Sequence, residues 1–216
     1  MDVSKFVSLG RKIIGVGRNY KAHAAEMGYS HPTDPVLFLK PTSSYVTQGN
    51  PIIYPKLCSN LHHEVELGIV IGRKGKNIPI HDALSFIGGY VLAIDMTARD
   101  LQSAAKTKGN PWSIAKGMDT FCPVSPVLSV AVIPEPQNTA IWLKVNDKLV
   151  QNGCTKDMIF PIPDIISYVS ARFTLEEHDV ILTGTPEGVG PVEIGQKITA
   201  GIGDTFEMGF EVVEEK

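Results

Sequence analysis

Residues 62–72 read HHEVELGIVIG: two histidines, two glutamates one residue apart, then an apolar run. Side chains alternate between the faces of a strand, so Glu64 and Glu66 share one face with Gly68, Val70 and Gly72. Val65, Leu67, Ile69 and Ile71 then form an apolar stripe on the other. This alternation predicts a core strand with one face packed and one face presenting two carboxylates. Like charges about 7 Å apart along a strand repel unless a cation or a proton lies between them. The pair is therefore either a solvated face of a half-exposed strand or part of a cation site, and the strand alone leaves both readings open.

Strand signals extend outward from this stretch in both directions. RKIIGVG, DPVLFLK, NPIIYP, YVLAID, IWLKVND, DVILTG and TFEMGFEVV are short, rich in Val and Ile, and bounded by Gly, Pro, Asn or Asp. IWLKVNDKLVQNG reads as a hairpin turning at Asn146-Asp147, and IGRKGKNI as a second turn. Three helices are interleaved. The first is short, with Asn19 as its N-cap and Gly28 to stop it. The second runs from about Ala98 to Lys108, with Thr97 as N-cap, Asp100 at the capping-box position and Gly109 after its end. The third lies near Pro163 to Ala171. No repeat, low-complexity stretch or linker interrupts the 216 residues, which predicts one α+β domain over 1–216, mostly strand.

Composition removes several classes of function. The net charge is -3, from 23 acidic and 20 basic residues with no long run of either sign, so a nucleic-acid partner is not expected. No stretch approaches 18 consecutive apolar residues, so no membrane span is expected. Cys58, Cys122 and Cys154 are odd in number and lack metal-ligand spacing, which suits reduced thiols packed in an intracellular protein. The opening MDVSKFVSLGRK has neither an apolar core of a signal peptide nor an Arg-rich leader.

A third acid shifts the balance for the glutamates. Asp95 ends the apolar strand YVLAID just before the capped helix, where a carboxylate serves either as a cap or as a ligand. Three carboxylates suit a hard cation such as Mg²⁺, and His62 and His63 are assigned supporting roles. Arg99 and Gln102 stand three apart on the helix that follows, on one face, where they would hold a substrate carboxylate and an enolate oxygen; alone they read as a solvated face. Lys116, in PWSIAKG, has no acid nearby in sequence and would face an anion or a developing oxyanion. His23 and Glu26 are spaced as a dyad in which the carboxylate orients the imidazole, although such pairs also occur on ordinary helix surfaces. Arg18 precedes that helix. LTGTPEGVG is a glycine-rich loop without the Lys-Ser/Thr of a Walker motif, and its amides with Thr185 would line an anion pocket.

The series GRNYxxHxxE (17–26), LFLKP (37–41), HHEVELG, DMTARD, PWSIAKG and ILTGTPEGVGP (181–191) occurs in this order in the fumarylacetoacetate hydrolase superfamily. The chain resembles most closely its short eukaryotic members, described as acylpyruvases and oxaloacetate decarboxylases or tautomerases. The resemblance implies a mixed-sheet β/β/α roll, a homodimer, and one Mg²⁺ or Mn²⁺ per subunit. It implies Glu64, Glu66 and Asp95 as metal ligands, His23 with Glu26 as the catalytic dyad, and Lys116 as stabiliser of the oxyanion or enolate. Arg18, Lys40, Arg99, Gln102 and Thr185 fall on positions similar to the family's substrate contacts. The larger fumarylacetoacetases carry an extra N-terminal domain that this sequence lacks, which implies a small substrate. The resemblance also implies a mitochondrial matrix protein, or a cytosolic one.

The expected chemistry is that of a small 2-oxo acid chelated through its carboxylate and ketone, which lowers the cost of an enolate at the next carbon. One such site would serve hydrolysis of acylpyruvates, decarboxylation of oxaloacetate, and keto-enol tautomerisation of oxaloacetate. The alternatives are an isomerase or decarboxylase of longer unsaturated 2-oxo diacids, and a metal-binding β-domain without turnover.

Overall fold

The computed structural model describes residues 2–26, 28 and 32–216. In chain order, the strands before the long helix are β1 (Ile13–Gly17), β2 (Val36–Lys40), β3 (Tyr45–Thr47), β4 (Ile52–Tyr54), β5 (Leu61–His63), β6 (Val65–Ile71), β7 (Ile87–Ile94) and β8 (Thr97–Ala98). After it come β9 (Cys122–Val124), β10 (Ala140–Val145), β11 (Lys148–Cys154), β12 (Val180–Leu182), β13 (Gly190–Pro191), β14 (Lys197–Ile202) and β15 (Phe206–Glu214). The helices are α1 (Phe6–Leu9), α2 (Lys21–Glu26), α3 (Arg99–Lys108), α4 (Ser113–Lys116) and α5 (Ile162–Arg172).

These strands form a seven-stranded sheet in the order β2-β1-β12-β6-β7-β9-β3, a five-stranded sheet in the order β11-β10-β14-β15-β4, and a small sheet β13-β5-β8. The large sheet is mixed: β1 lies parallel to β12 and β3 to β9, while β6 is antiparallel to both its neighbours. This is the mostly β, α+β architecture expected from the sequence. The Asn146-Asp147 turn closes the β10–β11 hairpin with both residues at positive φ (46° and 65°), as a two-residue hairpin turn requires.

The strand that opened the reading is central, and here the structure departs from expectation. All seven residues of β6 are buried, so neither face is solvated. Val65, Leu67, Ile69 and Ile71 pack into the main core with Ile165, Ile166 and Val169 of α5 and with Ile141, Leu143 and Ile198 of the second sheet. On the opposite face Val70 joins Val91, Ala93, Val180 and Leu182 in a smaller core closed by Val3 and Phe6. The N-terminal segment supplies that cover, and its apolar content was too sparse to predict it.

Two of the expected caps also act elsewhere. Helix α2 begins at Lys21, and Asn19 instead bonds the backbone of Phe160 and Thr183, far along the chain. Helix α3 has Ala98 at its N-cap; the Thr97 hydroxyl donates to Asp95 O, and Asp100 accepts from the Ser59 amide and hydroxyl. Gly109 does end α3, in the left-handed conformation. Among the described residues no helix is long and apolar enough to cross a membrane.

Candidate functional site

The three acids converge at one end of the β6–β7 ladder. Val65 pairs with Ile94, and the Asp95 amide donates to Glu64 O at 2.8 Å, so Glu64 and Asp95 stand opposite each other where the ladder ends. Glu66 pairs with Ala93 on the same face. The carboxylates of Glu64, Glu66 and Asp95 offer ligand atoms all within 4.8 Å of one another, and all three residues are buried. Such a set of buried like charges requires cations.

Three cationic side chains are built around them. Lys116 reaches back from α4 to donate to Glu64 Oε2 at 2.8 Å and to Asp95 Oδ2. The acids missing from its sequence neighbourhood are thus supplied from the residue before β6 and the residue after β7. Arg99, at the start of α3, donates to Glu64 Oε1 and, at 2.5 Å, to Gln102 Oε1. Lys40, at the end of β2, donates to Asp95 Oδ1 at 2.6 Å and to Met96 O at 3.2 Å. Burial alone would raise the Glu64 carboxyl, but Lys116 and Arg99 outweigh it and hold the group well below the usual carboxylate range. Burial likewise pulls the Lys116 ammonium down, and Asp95 with Glu64 more than restores it. An ammonium held between two carboxylates is suited to stabilising developing negative charge.

Glu66 differs. It accepts from the Gly184 amide at 2.6 Å, yet burial and the negative charges of Asp95 and Glu64 push its carboxyl well above the ordinary value. A buried carboxylate raised by two like neighbours is relieved by a cation shared among the three. An oxygen-only donor set of this kind fits a hard divalent cation.

One small cavity, about 30 Å³, opens onto this cluster. Of the residues expected to act on substrate or water, Arg18, His23, Arg99, Gln102 and Lys116 line it together with Glu64. His23 is buried, with Nδ1 3.4 Å from Glu26 Oε2, and the exposed Glu26 also accepts from the Gly188 amide at 3.2 Å. Three expected residues, Glu26, Lys40 and Thr185, lie outside the cavity wall. Lys40 is fully buried behind Asp95, and its ammonium contacts the Asp95 carboxylate. Thr185 sits in the loop next to Gly184, its hydroxyl accepting from Gln151 Nε2 at 2.8 Å. His62 and His63 take no part in the acid cluster. The Arg99 guanidinium donates to His62 Nδ1 at 3.4 Å, and burial and Arg99 lower the pKa of this imidazole to about 4; His63 bonds Gln151.

Sequence reasoning missed Phe38 and Trp112, whose rings line the cavity with centroids 6.0 Å apart, and Lys106, which sits 5.3 Å over the Trp112 ring. Both aromatics lie inside stretches already singled out, LFLKP and PWSIAKG, and an aromatic beside each buried lysine was the available signal.

The fumarylacetoacetate hydrolase C-terminal family matches residues 12–214. The chain is 55% identical over 210 residues to the mitochondrial oxaloacetate tautomerase FAHD1 of Arabidopsis thaliana, covering 97% of this chain and 94% of that one. It is 50% identical over 216 residues to the mitochondrial oxaloacetate decarboxylase of Dictyostelium discoideum, covering 99% of each. The crystal structure of fumarylpyruvate hydrolase from Pseudomonas aeruginosa in complex with Mn²⁺ and pyruvate superposes with a TM-score of 0.90 at 37% identity, over 95% of this chain and 90% of that one. The chain belongs to the fumarylacetoacetate hydrolase family.

Proposed function

We propose that this member of the fumarylacetoacetate hydrolase family is a divalent-metal-dependent enzyme of small 2-oxo acids. Oxaloacetate tautomerisation and decarboxylation would be its principal reactions, and hydrolysis of acylpyruvates would share the same site. The observation that carries the reading is the convergence of three buried carboxylates with Lys116, Arg99 and Gln102 beside a small polar cavity. Two relatives at 50% identity or more are named for oxaloacetate, and the Pseudomonas structure contains Mn²⁺ with pyruvate, the three-carbon core common to these substrates.

Glu64, Glu66 and Asp95 would hold the cation, Mg²⁺ or Mn²⁺, which when bound would polarise the 2-oxo group of the substrate. Lys40, Arg99 and Lys116 already pair with Asp95 and Glu64, so a divalent cation added beside Glu66 would make the site positive and complementary to a dianionic 2-oxo diacid. Arg99, Arg18 and Gln102 would bind and orient the carboxylates. Lys116 would stabilise negative charge at the enolate oxygen. Thr185 would contribute to the same anion pocket through its loop.

His23 and Glu26 support the hydrolytic reaction. An imidazole on the cavity wall, held 3.4 Å from a carboxylate, would take a proton from water attacking the distal carbonyl of an acylpyruvate, after which the carbon-carbon bond would break to give a carboxylate and the pyruvate enolate. Tautomerisation and decarboxylation need no such water.

We assign residues 1–216 to one catalytic domain acting as a homodimer in the mitochondrial matrix, with the cytosol as second compartment. Both relatives quoted above are named as mitochondrial. The functional reading is tested by assaying oxaloacetate and acetylpyruvate side by side with Mg²⁺, Mn²⁺ and EDTA. Turnover that requires the cation supports it; cation binding without turnover of either substrate supports the metal-binding domain instead.

A further inference from the structure

Gln151 is the one buried residue of β11, an edge strand whose other side chains are exposed or half-buried. Its amide makes four hydrogen bonds. Oε1 accepts from the Val65 amide at 3.0 Å and from His63 Nδ1 at 2.9 Å, which places the imidazole proton on Nδ1. Nε2 donates to Thr185 Oγ1 at 2.8 Å and to Pro186 O at 3.0 Å. The two partners on the first side flank Glu64 in the chain. The two on the second side belong to the 183–188 loop.

That loop supplies backbone amides to two different acids. The Gly184 amide bonds Glu66, and the Gly188 amide bonds Glu26. Both glycines have positive φ, 100° and 85°, and both run too close to neighbouring atoms for a side chain. A Cβ at Gly184 would lie 2.7 Å from Asn19 Cβ, and one at Gly188 2.0 Å from Val150 O, the residue before Gln151. Asn19 grips the start of the loop, donating to Thr183 O at 2.7 Å, and Gln151 grips its middle.

We propose that Gln151 is a positioning residue for both halves of the site. It fixes the loop against the strand that carries Glu64 and Glu66, and so sets the orientation of a ligand carboxylate and of the dyad carboxylate together. The role requires an amide, because one end must accept and the other must donate; methionine of similar length does neither, and glutamate retains only the accepting end. The inference rests on the metal-dependent reading of the site.

The test compares wild type with Gln151→Met and Gln151→Glu by three measurements on the full chain: Mn²⁺ affinity by calorimetry, melting temperature, and kcat and KM for acetylpyruvate. Loss of a partner that orients a metal ligand weakens binding about 10- to 100-fold. Folded variants are expected to bind Mn²⁺ at least tenfold more weakly, and at saturating Mn²⁺ to retain a kcat deficit of about tenfold with KM changed less. If Gln151→Met does not fold, Gln151→Glu, which keeps the bonds to His63 and Val65, decides. Variants with a lower melting temperature but wild-type Mn²⁺ affinity and kcat would overturn the proposal and leave Gln151 a structural residue. Wild-type protein that neither binds Mn²⁺ nor turns over would overturn the functional reading itself, and this inference with it.

Discussion

Lys40 Nζ lies 2.6 Å from Asp95 Oδ1, and solvent reaches neither side chain. Because Lys40 also donates to Met96 O, it holds the two residues that follow β7 as the chain turns toward α3. Replacing Lys40 by Met removes one of two cations from a buried carboxylate, and breaking a buried pair costs about 3–5 kcal/mol. Lys116 remains on Asp95, so a loss near the lower end, about 3 kcal/mol, is expected in urea unfolding. A change below about 1 kcal/mol would show that Lys40 is not needed to neutralise Asp95.

His23 separates the reactions. On the proposed role of His23 as general base, Ala at this position should lower acetylpyruvate hydrolysis by about 100-fold or more. Oxaloacetate decarboxylation and tautomerisation, which use no attacking water, fall much less. Rate measurements on the three reactions in one preparation give the ratio; equal losses would remove His23 from water activation.

Burial separates the three cysteines. Burial pushes Cys58 up to about 11 and Cys122 to about 12, whereas Cys154 is only half-buried beside Asn138. The thiolate is the reactive form, so at pH 8 native protein should react with a disulfide reagent at one thiol per chain. Cys154→Ser should abolish the fast phase. A fast phase that survives this change would place the reactive thiol in the core.

Asp100 contributes acid-sensitive stability. Burial would raise its pKa, but the Ser59 amide and hydroxyl, at 2.9 and 2.7 Å, outweigh burial and hold the carboxyl below its ordinary value. A folded-state pKa lower than the unfolded one gives stability that is present above the unfolded value, near 3.9, and is lost as pH falls through the folded value. Between pH 5 and pH 3 the wild type should therefore lose more stability than Asp100→Asn. Parallel curves for the two proteins would contradict this.

Most of the longer strands and the three larger helices were legible because their periodicity is local, whereas β14 (Lys197–Ile202), inside the second sheet, was not. The third acid of the cluster was legible because Asp95 follows an apolar strand at its end. What was not legible depends on which segment covers which. HHEVELG resembles a half-exposed strand because the cover for its second face comes from Val3 and Phe6, in a segment with no periodicity of its own. Asn19 looks like a helix cap in sequence, and its true partners are 141 and 164 residues away. Gln151 sits where a polar residue in a hairpin suggests a solvated face, and its burial is set by a loop that folds over it from residues 185–186.

The central claim is that Glu64, Glu66 and Asp95 together hold one divalent cation on which turnover depends. Glu66→Gln tests it most directly: the raised pKa of Glu66 means that its site already favours a neutral group, so the amide should fold as the wild type does. Protein stripped with EDTA is titrated with Mn²⁺ while oxaloacetate tautomerisation and acetylpyruvate hydrolysis are followed. The account predicts that the stripped wild type is inactive and recovers with one Mn²⁺ per chain, and that folded Glu66→Gln recovers neither reaction. Full turnover by the stripped wild type, or wild-type rates in Glu66→Gln, would contradict it.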